Sequence, residues 1–256
     1  MKTTIKTLYL DIEVSPNEAY VFGNRARFIP AKNMKETSRM LCYAYSWHGE
    51  RELRFRSEWD GIKEHFIDEL WRVMDEADAI ISYNGERFDI KVVNKEFLLH
   101  GVTPPMPTFS IDLFKTVRKK FKFTHSSLQS VAQELGIGKK IPHTGIDLWV
   151  DTMNGDDKAR RLMERYNKQD VRLLKPLYQR LLPWIDQHPN LNLYVDSSNP
   201  ICPRCGSSHI HKHGVERTNV AVYQRYRCNS CGAPSRGRTT MVPADDKQRI
   251  IAAVRT

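Results

Sequence analysis

The segment Leu8-Tyr9-Leu10-Asp11-Ile12-Glu13-Val14 alternates with period two, which a strand satisfies and a helix does not. Leu8, Leu10, Ile12 and Val14 fall on one face, and Asp11 and Glu13 on the other. At about 3.3 Å per residue the two acids stand roughly 6.6 Å apart along the strand, pointing the same way. Two like charges held side by side ask for a reason. Alone, an Asp-x-Glu pair is most simply the solvated face of an edge strand; the alternative is a cation site whose other ligands lie elsewhere in the chain.

Further strands are expected near 19–23, 40–48 and 51–56, antiparallel and with a hairpin turn at Trp47-His48-Gly49-Glu50-Arg51. Ile62, Phe66, Ile67, Leu70 and Val73 have helical spacing, with Asp60 as the expected cap, and Ala79–Asn84 follows as a short buried strand. Helices are expected over 88–100, ended by Gly101, over 112–122, capped by Asp112, and over 127–135. A long helix from about Asp156 to Ile185 carries Leu162, Met163, Tyr166, Asp170, Leu173, Leu174, Leu177 and Leu181 in one stripe, with a bend expected at Pro176. The fold class is therefore mixed α/β over residues 1–190. Residues 191–199 read as a linker, 200–235 as a small second module and 236–256 as a basic tail.

The net charge of +10 is uneven: residues 197–256 hold ten Lys/Arg against three Asp/Glu, or +7, which leaves +3 for the rest. That asymmetry points to an anionic polymer, nucleic acid first, as partner. The acids at 11 and 13 interrupt any signal-peptide core, and no apolar run reaches membrane-spanning length, so a cytoplasmic protein without a membrane partner is expected.

Asp170 is the only charge in its apolar stripe, a position that is costly for a carboxylate unless it is hydrogen-bonded, neutralised or bound to a cation. Tyr166 lies one turn earlier on the same face, and Asp89 sits where a buried strand gives way to a helix. Each acid has an innocent reading, Asp89 as a helix cap and Asp170 as a buried partner for Lys or Arg. Together with Asp11 and Glu13 they supply oxygen ligands for a pair of hard divalent cations.

These motifs, Leu-Asp11-Ile-Glu13-Val, Asn84-Gly-Glu-Arg-Phe88-Asp89 and Tyr166-Asn-Lys-Gln-Asp170, resemble the three motifs of the DEDD 3′-to-5′ exonucleases, in their order. The Tyr-x-x-x-Asp form is similar to the tyrosine branch, as in the proofreading domains of family B DNA polymerases. The resemblance implies a ribonuclease H-like fold and two Mg²⁺ or Mn²⁺ ions. Asp11, Glu13 and Asp170 would hold one ion, and Asp11 the other, with Asp89 acting mainly through water. It also implies that Tyr166 orients the attacking water and that Asn84 and Phe88 contact a single strand, although Phe88 reads equally as core. Lys140 and His143, in a glycine-containing loop with Lys139 and Thr144, are candidate phosphate contacts or simply a solvated basic loop. Single-stranded DNA is the favoured substrate, though metal ligands do not report the 2′-hydroxyl. A separate DNA polymerase or another replication or repair protein is a candidate partner. An RNA exonuclease, a ribonuclease H-like endonuclease and a non-catalytic nucleic-acid-binding adaptor are the alternatives.

Cys202-x-x-Cys205 and Cys228-x-x-Cys231, 22 residues apart, have the spacing of a four-thiolate site for one structural Zn²⁺. The stretch resembles zinc ribbons of nucleic-acid-binding proteins. His209, His211 and His213 then read as ordinary hairpin residues. Arg225, Tyr226, Arg227, Arg236 and Arg238 mix cationic and aromatic groups as a nucleic-acid surface does. Cys42, in an apolar strand, is expected to be a buried free thiol.

Overall fold

The computed structural model describes residues 5–23, 28–197 and 199–252. Residues 1–4, Ser198 of the expected linker and residues 253–256 of the basic tail lie outside the described residues. The chain divides into a unit Lys6–Tyr178 and a C-terminal unit beginning at Gln179.

In the first unit, β1 (Thr7–Val14) leads into a two-stranded ribbon of β2 (Glu18–Ala19) and β3 (Met34–Glu36), then β4 (Met40–Trp47) and β5 (Arg54–Ser57). After these come α1 (Lys63–Glu76), β6 (Ala79–Ser82), α2 (Asp89–Leu99), β7 (Phe109–Asp112), α3 (Leu113–Lys120), α4 (Leu128–Glu134), α5 (Ile146–Met153) and α6 (Asp157–Leu181). The main sheet has the order β5-β4-β1-β6-β7, antiparallel on the β4 side of β1 and parallel on the β6 side. A mixed sheet flanked by helices agrees with the expected mixed α/β class and with the ribonuclease H-like fold that the motif resemblance implies. β1 is its central strand, which excludes the edge-strand reading of the acidic face.

Alternation along β1 divides the two layers. Leu8, Leu10 and Ile12 join Tyr43 and Tyr45 of β4, Phe66, Ile67 and Leu70 of α1, and Val93 and Phe97 of α2 in one apolar cluster. Each such buried side chain stabilises the fold by about 1.5–3 kcal/mol, so a one-residue slip of β1 is strongly disfavoured. On the opposite face Tyr9 meets Tyr178 edge-on, with ring centroids 6.0 Å apart. There Cys42, a buried free thiol as expected, packs with Leu148, Ala159 and Met163.

Several local expectations are corrected. The strand read at 19–23 is only Glu18–Ala19, because β3 is short and the pairing slips at Ala19; Tyr20 and Phe22 beyond it are exposed. Asp60 does not cap α1, whose cap position is Ile62, two residues too late for that carboxylate to reach the first turn. β7 and α5 were not foreseen, being four and eight residues long and lacking a long periodic run. α6, with Pro176 inside it, ends at Leu181 in a 3₁₀ turn, Leu182–Trp184, short of the expected Ile185. Among the described residues no helix is long and apolar enough to cross a membrane.

The C-terminal unit contains an antiparallel sheet of β8 (Ile210–Arg217), β9 (Val222–Cys228) and β10 (Pro234–Arg236). The segment read as a linker starts with a 3₁₀ turn, Leu191–Leu193, hydrogen-bonded to the first cysteine knuckle: Leu191 N donates to Pro203 O at 2.8 Å and Asn192 Nδ2 to Ile201 O at 3.2 Å.

Parallel pairing of β1 to β6 ends at Tyr9, so the acidic end of β1 projects beyond β6, where the chain turns away through residues 83–88. Asp112, the expected cap of α3, accepts from Phe114 N at 3.0 Å and also holds that turn, accepting from Asn84 N at 2.8 Å. Asn84 has φ 65°, and a Cβ at Gly85 would lie 2.6 Å from Ser82 Cβ. Because a rigid Cβ cannot retreat, Gly85→Ala is expected to cost about 1–3 kcal/mol. It should lower the thermal midpoint by several degrees; an unchanged midpoint would show that the turn yields freely.

Candidate active site and cysteine centre

β1 and α6 bring one carboxylate oxygen each of Asp11, Glu13 and Asp170 within 4.8 Å of one another. The strand supplies two of them because its face is fixed by the core behind it. The helix supplies the third because Met163, Leu174 and Leu177 turn the same stripe inward. Asp89 stands apart from this triad. At the start of α2, its Oδ1 accepts from Ile12 N at 3.3 Å, taking a backbone donor of β1 beyond the last residue that β6 pairs. It remains close enough to act electrostatically on Asp11 and Glu13.

Burial first, then the neighbouring charges of Asp170, Glu13 and Asp89, hold Asp11 well above the ordinary carboxylate range. Burial and Asp170 push Glu13 up to about 8, against Lys140 and a hydrogen bond from Trp149. Burial raises Asp89 to about 6 against the backbone N–H groups that it accepts from. Asp170 is also raised by burial, although Lys140 works against that. Its Oδ1 is buried without a partner. Crowded oxygens, one of them unpaired, in a site that favours protonation are what a divalent cation relieves, and the donor set is all oxygen.

Lys140 reaches into this cluster. Its ammonium pairs with Asp170 and donates to Tyr166 Oη at 3.1 Å. A solvated loop therefore describes Lys139, which is exposed, but not Lys140. The Tyr166 phenol, raised to about 12 mainly by burial, is neutral near pH 7. Since it accepts from Lys140, its own hydrogen is free to donate. His143 and Trp149 meet the Tyr166 ring edge-on, at 4.9 and 6.0 Å between centroids.

A cavity of about 500 Å³ opens beside the triad, lined by Asp11, Asp170, Lys140, Asn84, Tyr83, Phe114, Arg118 and Ser126–Leu128. Asn84 thus faces the same space as the acids. Phe88 is 49% exposed, which rules out the core alternative for its ring. Asn167, Trp149 and the loop-holding role of Asp112 escaped sequence reasoning. Asn167 left one signal, a polar residue at i−3 from Asp170 and i+4 from Met163; the other two left none.

In the C-terminal unit, the four cysteine sulfurs lie within 4.8 Å of one another, with Cys202–Cys231 at 3.7 Å and Cys205–Cys228 at 3.6 Å. These separations far exceed a disulfide bond of about 2.05 Å. They match the edge of about 3.8 Å for a tetrahedron with metal–sulfur bonds near 2.3 Å. Each knuckle closes in the same way, Gly206 N to Cys202 O and Gly232 N to Cys228 O, both at 2.9 Å, with the glycines at φ 71° and 77°. On β9, Arg225 and Arg227 are exposed, and Arg236 lies 4.3 Å over the Tyr223 ring.

A protein-family model described as the RNase H superfamily matches residues 32–182, more than half of the chain. That span includes Asp89, Tyr166 and Asp170 and starts after Asp11 and Glu13. Among solved structures the chain is similar to a family B DNA polymerase from the hyperthermophilic archaeon Pyrobaculum calidifontis, at 21% identity and a TM-score of 0.51. The match covers 70% of this chain and 25% of that one, so this chain corresponds to about a quarter of the polymerase. No curated protein matches the chain.

A carboxylate whose pKa is raised on folding contributes stability that is present below its unfolded value, about 4, and lost as pH rises through its folded value. Without Mg²⁺ or Mn²⁺, the N-terminal unit should therefore lose stability from about pH 5 to pH 8.5, through the ranges of Asp89 and Glu13. Saturating Mg²⁺ should oppose that loss. Thermal unfolding across this range checks it, and a metal-free midpoint that is flat or rises with pH would contradict it.

Proposed function

The chain belongs to the RNase H superfamily, and on that premise we propose that it is a divalent-metal-dependent 3′-to-5′ exonuclease acting on single-stranded DNA, with a zinc ribbon that adds nucleic-acid affinity. The observation that carries this reading is the convergence of Asp11, Glu13 and Asp170 beside a cavity that also contains Asn84, with the Tyr166 hydroxyl next to Asp170. The exonuclease polarity rests on the resemblance of Tyr166-x-x-x-Asp170 to the tyrosine branch.

Asp11, Glu13 and Asp170 are the residues that would hold divalent cations, with Asp89 behind them. Such ions, when bound, supply Lewis acidity at the phosphate and a lowered pKa for the attacking water. Tyr166, neutral and with a free hydroxyl hydrogen, orients that water or a phosphate oxygen and is not the base. Lys140 sets the Tyr166 hydroxyl through its 3.1 Å contact and partly neutralises Asp170. Asn84 offers an amide to the strand, and the exposed ring of Phe88 offers a stacking face to a terminal base. His143 supports the Tyr166 ring from the exposed side.

A single strand labelled at either end and incubated with Mg²⁺ or Mn²⁺ tests the reading. Stepwise shortening from the 3′ end is expected, with Asp11→Ala lowering the rate at least 1,000-fold. Internal cuts would identify an endonuclease instead, and a preference for RNA would reassign the substrate.

Cys202, Cys205, Cys228 and Cys231 would hold Zn²⁺, and Arg225 and Arg227 would contact phosphate. One equivalent of zinc per chain is expected by elemental analysis, and its loss in Cys228→Ser. Converting both arginines to alanine should weaken binding of single-stranded DNA and reduce the salt slope by about 1–2. A full zinc complement in Cys228→Ser, or an unchanged slope in the arginine variant, would remove the corresponding half of this assignment.

A further inference from the structure

Asn167 is fully buried, and among the described residues it is the only buried carboxamide. Its Nδ2 donates twice to the same residue across the sheet-to-helix boundary, at 2.7 Å to Asp11 Oδ2 and at 3.2 Å to the backbone oxygen of Asp11. Its Oδ1, also buried, has no partner. Which end of the amide faces Asp11 follows from chemistry. A backbone carbonyl is an acceptor in every protonation state, so only the NH₂ end can meet it.

An unpaired buried acceptor is costly, and a residue present for packing alone would gain by being apolar. The amide is therefore explained by what its donor end does. Asp11 shares its cluster with Glu13 and Asp170, and repulsion from both favours turning its side chain away. The two hydrogens of Asn167 fasten the carboxylate to its own backbone and remove that freedom. Lys140 neutralises Asp170 with a charge that competes with an arriving cation; Asn167 is neutral, so it sets no positive charge against that cation.

We propose that Asn167 is a positioning residue that presets the Asp11 carboxylate for binding a divalent cation. The inference rests on the metal-dependent reading given above and concerns the strength of cation binding, not the polarity of cleavage. Residues that orient a metal ligand typically change metal affinity by about 10–100-fold when removed.

The test is a double-mutant cycle on Mn²⁺ affinity, measured on the full zinc-loaded chain by electron paramagnetic resonance of free Mn²⁺. Asn167→Leu, close in shape but without a donor, should weaken Mn²⁺ binding at least tenfold in the wild-type background and by no more than about twofold in an Asp11→Ala background. Rates should follow the Mn²⁺ requirement, with most of the loss recovered at saturating Mn²⁺. Equal affinity for wild type and Asn167→Leu overturns the inference, as does the same loss in both backgrounds, since a packing defect would not depend on Asp11. If Asn167→Leu loses cooperative unfolding, Asn167→Ala removes the same donor without bulk and takes its place. Wild type that binds Mn²⁺ but degrades no nucleic acid would overturn the nuclease reading while leaving this one to stand on affinity; wild type that binds no Mn²⁺ overturns both.

Discussion

The feature on which the rest of the N-terminal unit depends is the mutual repulsion of Asp11, Glu13 and Asp170. Three carboxylates gathered within 4.8 Å would disperse on any flexible support. The fold answers by placing two of them on the central strand, paired to β4 on one side and held through Ile12 N by Asp89 on the other, above a layer of large apolar side chains. The third is on the longest helix, whose inward stripe continues on both sides of it. Lys140 and Asn167 then hold individual oxygens, one by charge and the other by neutral donation.

The same end of the sheet explains the cavity. Because β6 stops pairing with β1 at Tyr9, the strand carries its acids past its parallel neighbour, and the turn at 83–88 borders the space so created. Carboxyl ends of parallel strands are common ligand sites for this reason. Asp89 and Asp112 are involved on the chain side of that opening, one holding β1 and the other the turn. Their carboxylates therefore do structural work next to residues whose carboxylates face the cavity.

What sequence could reveal was what broke a pattern. Asp11 and Glu13 interrupt an apolar alternation, Asp170 interrupts an apolar stripe, and the cysteines repeat a spacing with little other use; periodicity and element order reach only a mixed α/β class, and the mixed sheet came from the resemblance of the motifs. Asn167 interrupts the same stripe as Asp170 but carries no charge, so its one signal, a polar residue at helical spacing from Met163 and Asp170, was too weak to mark it out. The partners of Lys140 depend on how a loop folds back across 30 residues, which local chemistry does not encode. The short elements β7 and α5 lack the length for a periodic signal, and the strand expected at 19–23 failed because strand identity depends on a partner that ends early.

Asp11 and Asn167 are 156 positions apart. During synthesis from the N-terminus, the strand half of the site exists long before the helix half has been made. An unfinished chain therefore carries Asp11 and Glu13 with no Asp170 beside them and no Asn167 to hold Asp11. The carboxylate cluster is assembled late and all at once, when α6 docks, so whatever it binds can be held only by a finished domain.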